Sequence, residues 1–272
     1  MSQTRKIRGI NLVYDDLKPE LSSASTPPIL FIHGQPFNRS MWKYQVDVLK
    51  DTYRLIIPDL RGYGESEVPN ADMVLLDELA LDMAELLDEL DVEDVIVAGL
   101  SMGGQIALEF YKLFPERVKG LILADTDSRA EDEEGYTRRL MLSKKLVDDG
   151  MKKFTADRIH HFISAYSMEN KPEVVQHLTE MMENTNAKGS SIVQRGRAER
   201  KDLTYCLDSI DVPTLIVVGE HDEFTPVSTA EFLHENILDS ALAIIEKAGH
   251  IPNMEQTDQF NEVLLKFLKE EF

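Results

Sequence analysis

Short, nearly continuous apolar runs punctuate the chain at residues 29–32, 55–57, 95–97, 118–123, 214–218 and 241–245, and most are rich in β-branched side chains. Runs of this length without polar alternation are the pattern of strands buried on both faces of a parallel sheet. Helical periodicity lies between several of them. Leu76, Leu79, Met83, Leu86, Leu87 and Leu90 recur at helical spacing, with Asp77, Glu78, Asp82, Glu85 and Asp88 on the opposite face. Further helices are predicted after Ser101 (through Ile106, Leu108 and Phe110), over about 226–236 and over 257–272. Strand and helix alternating in this order imply a mostly parallel, twisted α/β sheet with right-handed crossovers. Residues 6–14 alternate more like antiparallel edge strands, which brings the expected sheet to about eight strands flanked by helices. The Ser- and Pro-rich stretch 22–28 reads as a connecting loop.

The alternation breaks between about Thr126 and Cys206. These eighty or so residues offer no convincing strand, only helical patterns at 136–149, 155–166, 172–183 and 190–202. The pattern predicts a core domain of residues 1–125 and 207–272, with a helical cap (126–206) inserted after the sixth strand. Charge sharpens that boundary. The insert carries 14 Lys/Arg and 14 Asp/Glu, so the net charge of −20 resides entirely in the remainder. Such a charge repels nucleic acid and anionic membrane surfaces. No segment approaches the ~18 uncharged apolar residues of a bilayer span. The start, MSQTRKIRGI, lacks an apolar leader, and the single Cys206 cannot form an intrachain disulfide. Both point to a cytoplasmic protein. A homo-oligomer is compatible with the sequence but not derivable from it.

The strongest chemical signal is Gly99-Leu100-Ser101-Met102-Gly103, directly after one predicted strand and directly before a predicted helix. This is G-x-S-x-G in the strand–turn–helix setting the motif requires. A serine held on so tight a turn has neighbours two positions away on each side that leave no room for a Cβ, and glycine at both removes the clash. The turn lifts the hydroxyl from the sheet edge and directs the first N–H groups of the helix at a reacting carbonyl.

The chain resembles the α/β-hydrolase fold family, in its lidded single-domain branch, nearly end to end. Besides Gly99–Gly103 the resemblance rests on His33-Gly34-Gln35-Pro36, on Pro58-Asp59-Leu60-Arg61-Gly62-Tyr63-Gly64-Glu65-Ser66, on Gly219-Glu220-His221-Asp222 with Pro226, and on Ala248-Gly249-His250. The order Ser, Asp, His along the chain is the family's. Thr257 stands where many relatives carry proline, and is expected to act as an N-cap.

A serine hydroxyl needs a base. Of seven histidines, His250 lies in a glycine-containing loop after the last strand, from which it can swing over the carboxyl edge of the sheet. His160, His161, His177 and His234 fall in helical patterns, while His33 and His221 read as loop residues. The acid that orients the imidazole is expected at Asp222, the family's usual location, with Asp125 after the sixth strand as the alternative. The resemblance also implies an oxyanion hole from the backbone N–H groups of Gln35 and Met102.

No metal or nucleotide cofactor is expected. His234-Glu235 begins a zinc-protease pattern that Leu238 breaks, Glu67 stands where a third glycine of a dinucleotide fingerprint belongs, and no phosphate-binding G-x-x-x-x-G-K-[ST] run occurs. The expected activity is hydrolysis of small to medium carboxylic esters or lactones through an acyl-enzyme. The runs GLSMGG and LILADT and the paired Arg138 and Arg139 resemble carboxylesterases and enol-lactonases. Alternatives are a carbon–carbon bond hydrolase of the ring-cleavage type, a perhydrolase or haloperoxidase side activity, and a non-enzymatic ligand receptor. In the cap, Leu140, Met141, Leu146, Met151, Phe154, Phe162, Met168, Met181 and Met182 either line a pocket or pack the helices together. Methionines would suit a loose acyl pocket, and local arginines could hold one carboxylate.

Overall fold

The structure, a computed structural model, describes residues 2–19 and 26–272. Of the expected loop at 22–28, residues 22–25 lie outside the described residues, and 26–28 lead into the first parallel strand without regular structure.

The strands are β1 (Gln3–Ile7), β2 (Ile10–Leu17), β3 (Ile29–Ile32), β4 (Leu55–Pro58), β5 (Val95–Leu100), β6 (Val118–Ala124), β7 (Thr214–Gly219) and β8 (Ser240–Ile245). They form one sheet in the order β1-β2-β4-β3-β5-β6-β7-β8. β1 pairs with β2 and β2 with β4 in antiparallel fashion, as the alternation of 6–14 predicts, and every other pair is parallel. The helices of the alternating part are α1 (Lys43–Leu49), α2 (Leu76–Glu89) and α3 (Met102–Leu113), and then α9 (Val227–Asn236), α10 (Pro252–Glu255) and α11 (Thr257–Glu271). Between β6 and β7 lie α4 (Glu133–Asp149), α5 (Met151–Phe162), α6 (Ala165–Asn170), α7 (Pro172–Asn184) and α8 (Ala187–Ala198), and no residue from 126 to 206 is in a strand.

Because side chains alternate along a strand, the sheet separates two hydrophobic cores. Leu30, Ile32, Val95 and Val97 point into one, with α2, α3 and α9 packed over it. Ile29, Phe31, Ile96 and Ala98 point into the other, closed by α1 and α11. The α4–α8 segment joins both rather than forming a core of its own. Leu146, Phe154, Leu178 and Met182 belong to the second core, and Ile192 and Val193 to the first. From β3 the chain moves out to β4, then returns across to β5, on the far side of β3. The crevice at the carboxyl ends of β3 and β5 is thus a topological switch point, where open α/β sheets bind their ligands.

Three local expectations change. β8 is not buried on both faces: it is the edge strand, and Ile244 is 46% exposed. The helix expected at 155–166 is two. α4 stops at Gly150 (φ +79°), α5 starts at Met151, and Ser164 caps α6 by accepting from the Ser167 N–H. Thr257 is not an N-cap but the first residue of α11, and its hydroxyl donates back to Met254 O at 3.2 Å.

Candidate active site

Ser101 sits between β5 and α3 with φ +55° and ψ −114°, a backbone region that side chains rarely occupy. Its neighbours carry the steric cost. A Cβ on Gly99 would meet Gly103 O at 2.2 Å, and one on Gly103 would meet Ile32 O at 2.1 Å. The turn is held from behind by the Ser101 N–H, which donates to Ala124 O (2.8 Å), and by the Thr126 hydroxyl, which donates to Ser101 O (2.7 Å).

Three side chains from distant parts of the sequence meet here. Asp222, in the turn after β7, accepts from His250 Nδ1 through Oδ2 at 2.8 Å. With Nδ1 carrying that proton, Nε2 is left to accept from the Ser101 hydroxyl, also at 2.8 Å. Asp222 and His250 are 5% and 2% exposed. Burial alone would raise the Asp222 carboxyl. The imidazole beside it, the Thr225 hydroxyl (2.5 Å) and the Phe224 N–H (2.8 Å) outweigh that and hold it below the usual carboxylate range. Phe224 and Phe162 flank the imidazole, with ring centroids 4.9 and 6.0 Å away.

Asp125 is brought to the same place without a hydrogen bond to the imidazole. Its Oδ1 accepts from the Gly219 N–H at 2.9 Å, and Oδ2 has no hydrogen-bond partner among the described residues. Burial, reinforced by the charge of Asp222, pushes its carboxyl well above the ordinary value. The hydrogen bond to His250 belongs to Asp222.

The remaining histidines fall as expected. His33 is buried in the loop after β3, donating from Nδ1 to Gly34 O (2.8 Å) and accepting from the Leu60 N–H (3.0 Å). Burial lowers its pKa. The same loop lies against the Ser101 turn, since a Cβ on Gly34 would meet Leu100 O at 3.0 Å. Among the described residues, the N–H groups of Gln35 and Met102 have no recorded acceptor in the protein. The Gln35 side chain shapes more than pocket outline. It accepts from the Tyr63 hydroxyl and donates to Ser190 Oγ at 2.5 Å, tying the loop to the turn after β4 and to α8.

A residue absent from the sequence reading is Glu255. Buried in α10, it accepts from the Gly249 N–H (2.7 Å) and the Ser164 N–H (2.8 Å), pinning the His250 loop to the start of α6. His250 N in turn donates to Phe162 O at 3.1 Å. Its sequence signal is slight, a carboxylate five residues past His250 in a stretch that also holds Asn253 and Gln256.

Ser101, His250 and Gln35 open into a cavity of about 440 Å3. Of the apolar insert residues considered above, only Phe154 and Phe162 line it. Met151, Met181 and Met182 are buried in the core, while Met141 and Met168 face solvent. The methionine-lined pocket is therefore replaced by a polar one containing Arg129, Arg138, Arg139, Arg158, Arg197 and Arg200. A larger groove of about 710 Å3 shares none of these residues; its Arg39 already pairs with Asp15, Asp59 and Glu65.

A family model described as alpha/beta hydrolase fold matches residues 27–257. The sequence is 30% identical to the 3-oxoadipate enol-lactonase 2 of Acinetobacter baylyi over 246 residues, 90% of each chain. In structure it is similar to a malate-bound thermophilic esterase from Thermogutta terrifontis, with a TM-score of 0.92, 30% identity and coverage of 99% of this chain and 98% of the other. It is also similar to the enol-lactonase from Burkholderia xenovorans LB400, with a TM-score of 0.89, 25% identity and coverage of 98% and 100%.

Proposed function

The chain belongs to the alpha/beta hydrolase family, and from that premise we propose that it is a serine hydrolase of carboxylic esters or lactones working through an acyl-enzyme. The observation that carries this reading is the continuous hydrogen-bonded line from Asp222 through His250 to Ser101 on a strained turn.

Each group has a role that its position supports. His250 Nε2 takes the hydroxyl proton as Ser101 Oγ attacks the carbonyl carbon, and Asp222 stabilises the imidazolium. The carbonyl oxygen gains negative charge, and the Gln35 and Met102 N–H groups are the donors assigned to it. His250 then returns the proton to the leaving alkoxide, which departs as the alcohol and leaves Ser101 acylated. In the second half, His250 takes a proton from water, hydroxide adds to the acyl carbon, and Ser101 leaves with the proton restored. In a lactone the alcohol stays attached, so one molecule is released. Among the described residues no helix is long and apolar enough to cross a membrane, and a small-molecule substrate suits a cavity of this size.

Incubation with a fluorophosphonate probe, followed by kcat/KM over a panel of esters, lactones and vinylogous diketone acids, tests this. Labelling of Ser101 with turnover of esters or lactones is the expected result. Turnover of the diketone acids alone would replace the ester reading by carbon–carbon hydrolysis.

A further inference from the structure

Although the protein carries a net charge of −20, the cavity that Ser101 opens into is lined by six arginines against three carboxylates. The imbalance is sharpest at its inner end. Glu131 accepts from both Arg139 and Arg200, so one carboxylate already serves two guanidinium groups. Arg197 beside them is 6% exposed and has no carboxylate partner among the described residues. Among the described residues its one side-chain hydrogen bond runs from Nε to Gln105 Oε1 at 3.2 Å. Burial, and repulsion from Arg139 and Arg200, pull its pKa well below the ordinary arginine value.

A buried cation without a counter-ion is unfavourable. Packing alone does not call for a third guanidinium beside a pair that Glu131 already neutralises in part. We infer that Arg139, Arg197 and Arg200 form a binding site for a carboxylate carried by the substrate, so that the ester or lactone hydrolysed is an anion. Planar guanidinium forks match a carboxylate in two parallel hydrogen bonds, and Glu131 already occupies part of the cluster in that chemistry.

The position limits the substrate further. Gln105, which holds Arg197, is one helical turn beyond Ser101, its N–H donating to Ser101 O at 3.1 Å. One turn rises about 5–6 Å, the reach of a chain of a few carbons. The substrate class is a half-ester, or a lactone acid, of a short dicarboxylic acid. This deepens the proposed hydrolase reading and rests on it.

Two measurements test it separately. Hydrolysis of ethyl hydrogen glutarate is compared by pH-stat with that of ethyl 4-carbamoylbutyrate, its neutral isostere. The acid is expected to be preferred by about 10- to 100-fold in kcat/KM, mainly through KM, and Arg197→Gln should bring the ratio close to one. Calorimetry then measures glutarate and glutaramide binding to the Ser101→Ala protein, whose arginines are intact. Glutarate should bind, and glutaramide should not.

Equal kcat/KM for acid and amide, or a ratio unchanged in Arg197→Gln, overturns the site. So does inorganic phosphate binding more tightly than glutarate. If neutral esters are hydrolysed but glutarate does not bind, the carboxylate site falls and the hydrolase reading stands. If glutarate binds but no ester is turned over, the site stands and the hydrolase reading falls.

Discussion

Ser101 Oγ lies 2.8 Å from His250 Nε2 although 149 residues separate the two along the chain. The contact joins a turn strained by its own backbone to a loop pinned by Glu255, so serine and imidazole meet without either needing to move. Ser101→Ala should therefore abolish hydrolysis of p-nitrophenyl butyrate, a loss of about a thousand-fold or more, with circular dichroism unchanged. Persisting activity would remove Ser101 as the nucleophile.

The same backbone geometry makes a stability prediction. A side chain at φ +55° costs about 1–2 kcal/mol, which glycine avoids at a smaller cost in chain entropy. Ser101→Gly is expected to be more stable than Ser101→Ala, by up to about 1 kcal/mol, while equally inactive. Urea midpoints of the two variants decide it.

Asp222 and Asp125 should separate cleanly. Of the two carboxylates only Asp222 hydrogen-bonds to the imidazole, so Asp222→Asn leaves His250 in the wrong tautomer and should cut kcat by about a thousand- to ten-thousand-fold. Asp125→Asn should cost less than about tenfold, because the new amide oxygen can still accept from the Gly219 N–H. A larger loss at 125 would reverse the assignment of the acid.

Much of this was legible from residue order. β3 matches the expected run at 29–32, and the other parallel strands fall within a few residues, because the buried ones, β3 to β7, need nearly unbroken apolar runs. Gly99 and Gly103 announced the turn because nothing larger fits there. What stayed hidden depends on contacts across the chain. Arg197, in α8, and Glu131, just before α4, sit in mixed-charge sequence indistinguishable from a solvated surface, and only the packing of α4 against α8 brings them together. Likewise, Asp222 and Asp125 both follow strands, and only the fold decides which reaches His250.

Asp125 also sets a pH dependence. Its carboxyl is raised in the folded chain, whereas the unfolded chain releases that proton near pH 4. Between pH 4 and the folded value the native state binds more protons than the unfolded one, so this group's contribution to stability falls as pH rises. Asp222 runs oppositely. Its lowered carboxyl adds stability present above about pH 4 and lost as pH falls through its folded value. Asp125→Asn should consequently gain stability relative to the parent as the pH rises from about 4 to about 8. Denaturant titrations at the two pH values check this, and a variant that gains nothing on the parent between them would refute it.

The metal-free expectation can be tested at the one place among the described residues that invites a cation. Ligating atoms of Asp125, Asp222 and His250 come within 4.8 Å of one another, which is compact enough to hold an ion. Both imidazole nitrogens are already committed, however, one to Asp222 and one to Ser101. A cation bound by His250 would have to take one of those nitrogens, either uncoupling the acid from the base or removing the base from the hydroxyl. Added zinc should therefore inhibit ester hydrolysis, and EDTA should leave the rate unchanged. Loss of activity in EDTA, restored by a divalent metal, would mean that the three residues act as ligands and that the proton-transfer role given to His250 is wrong.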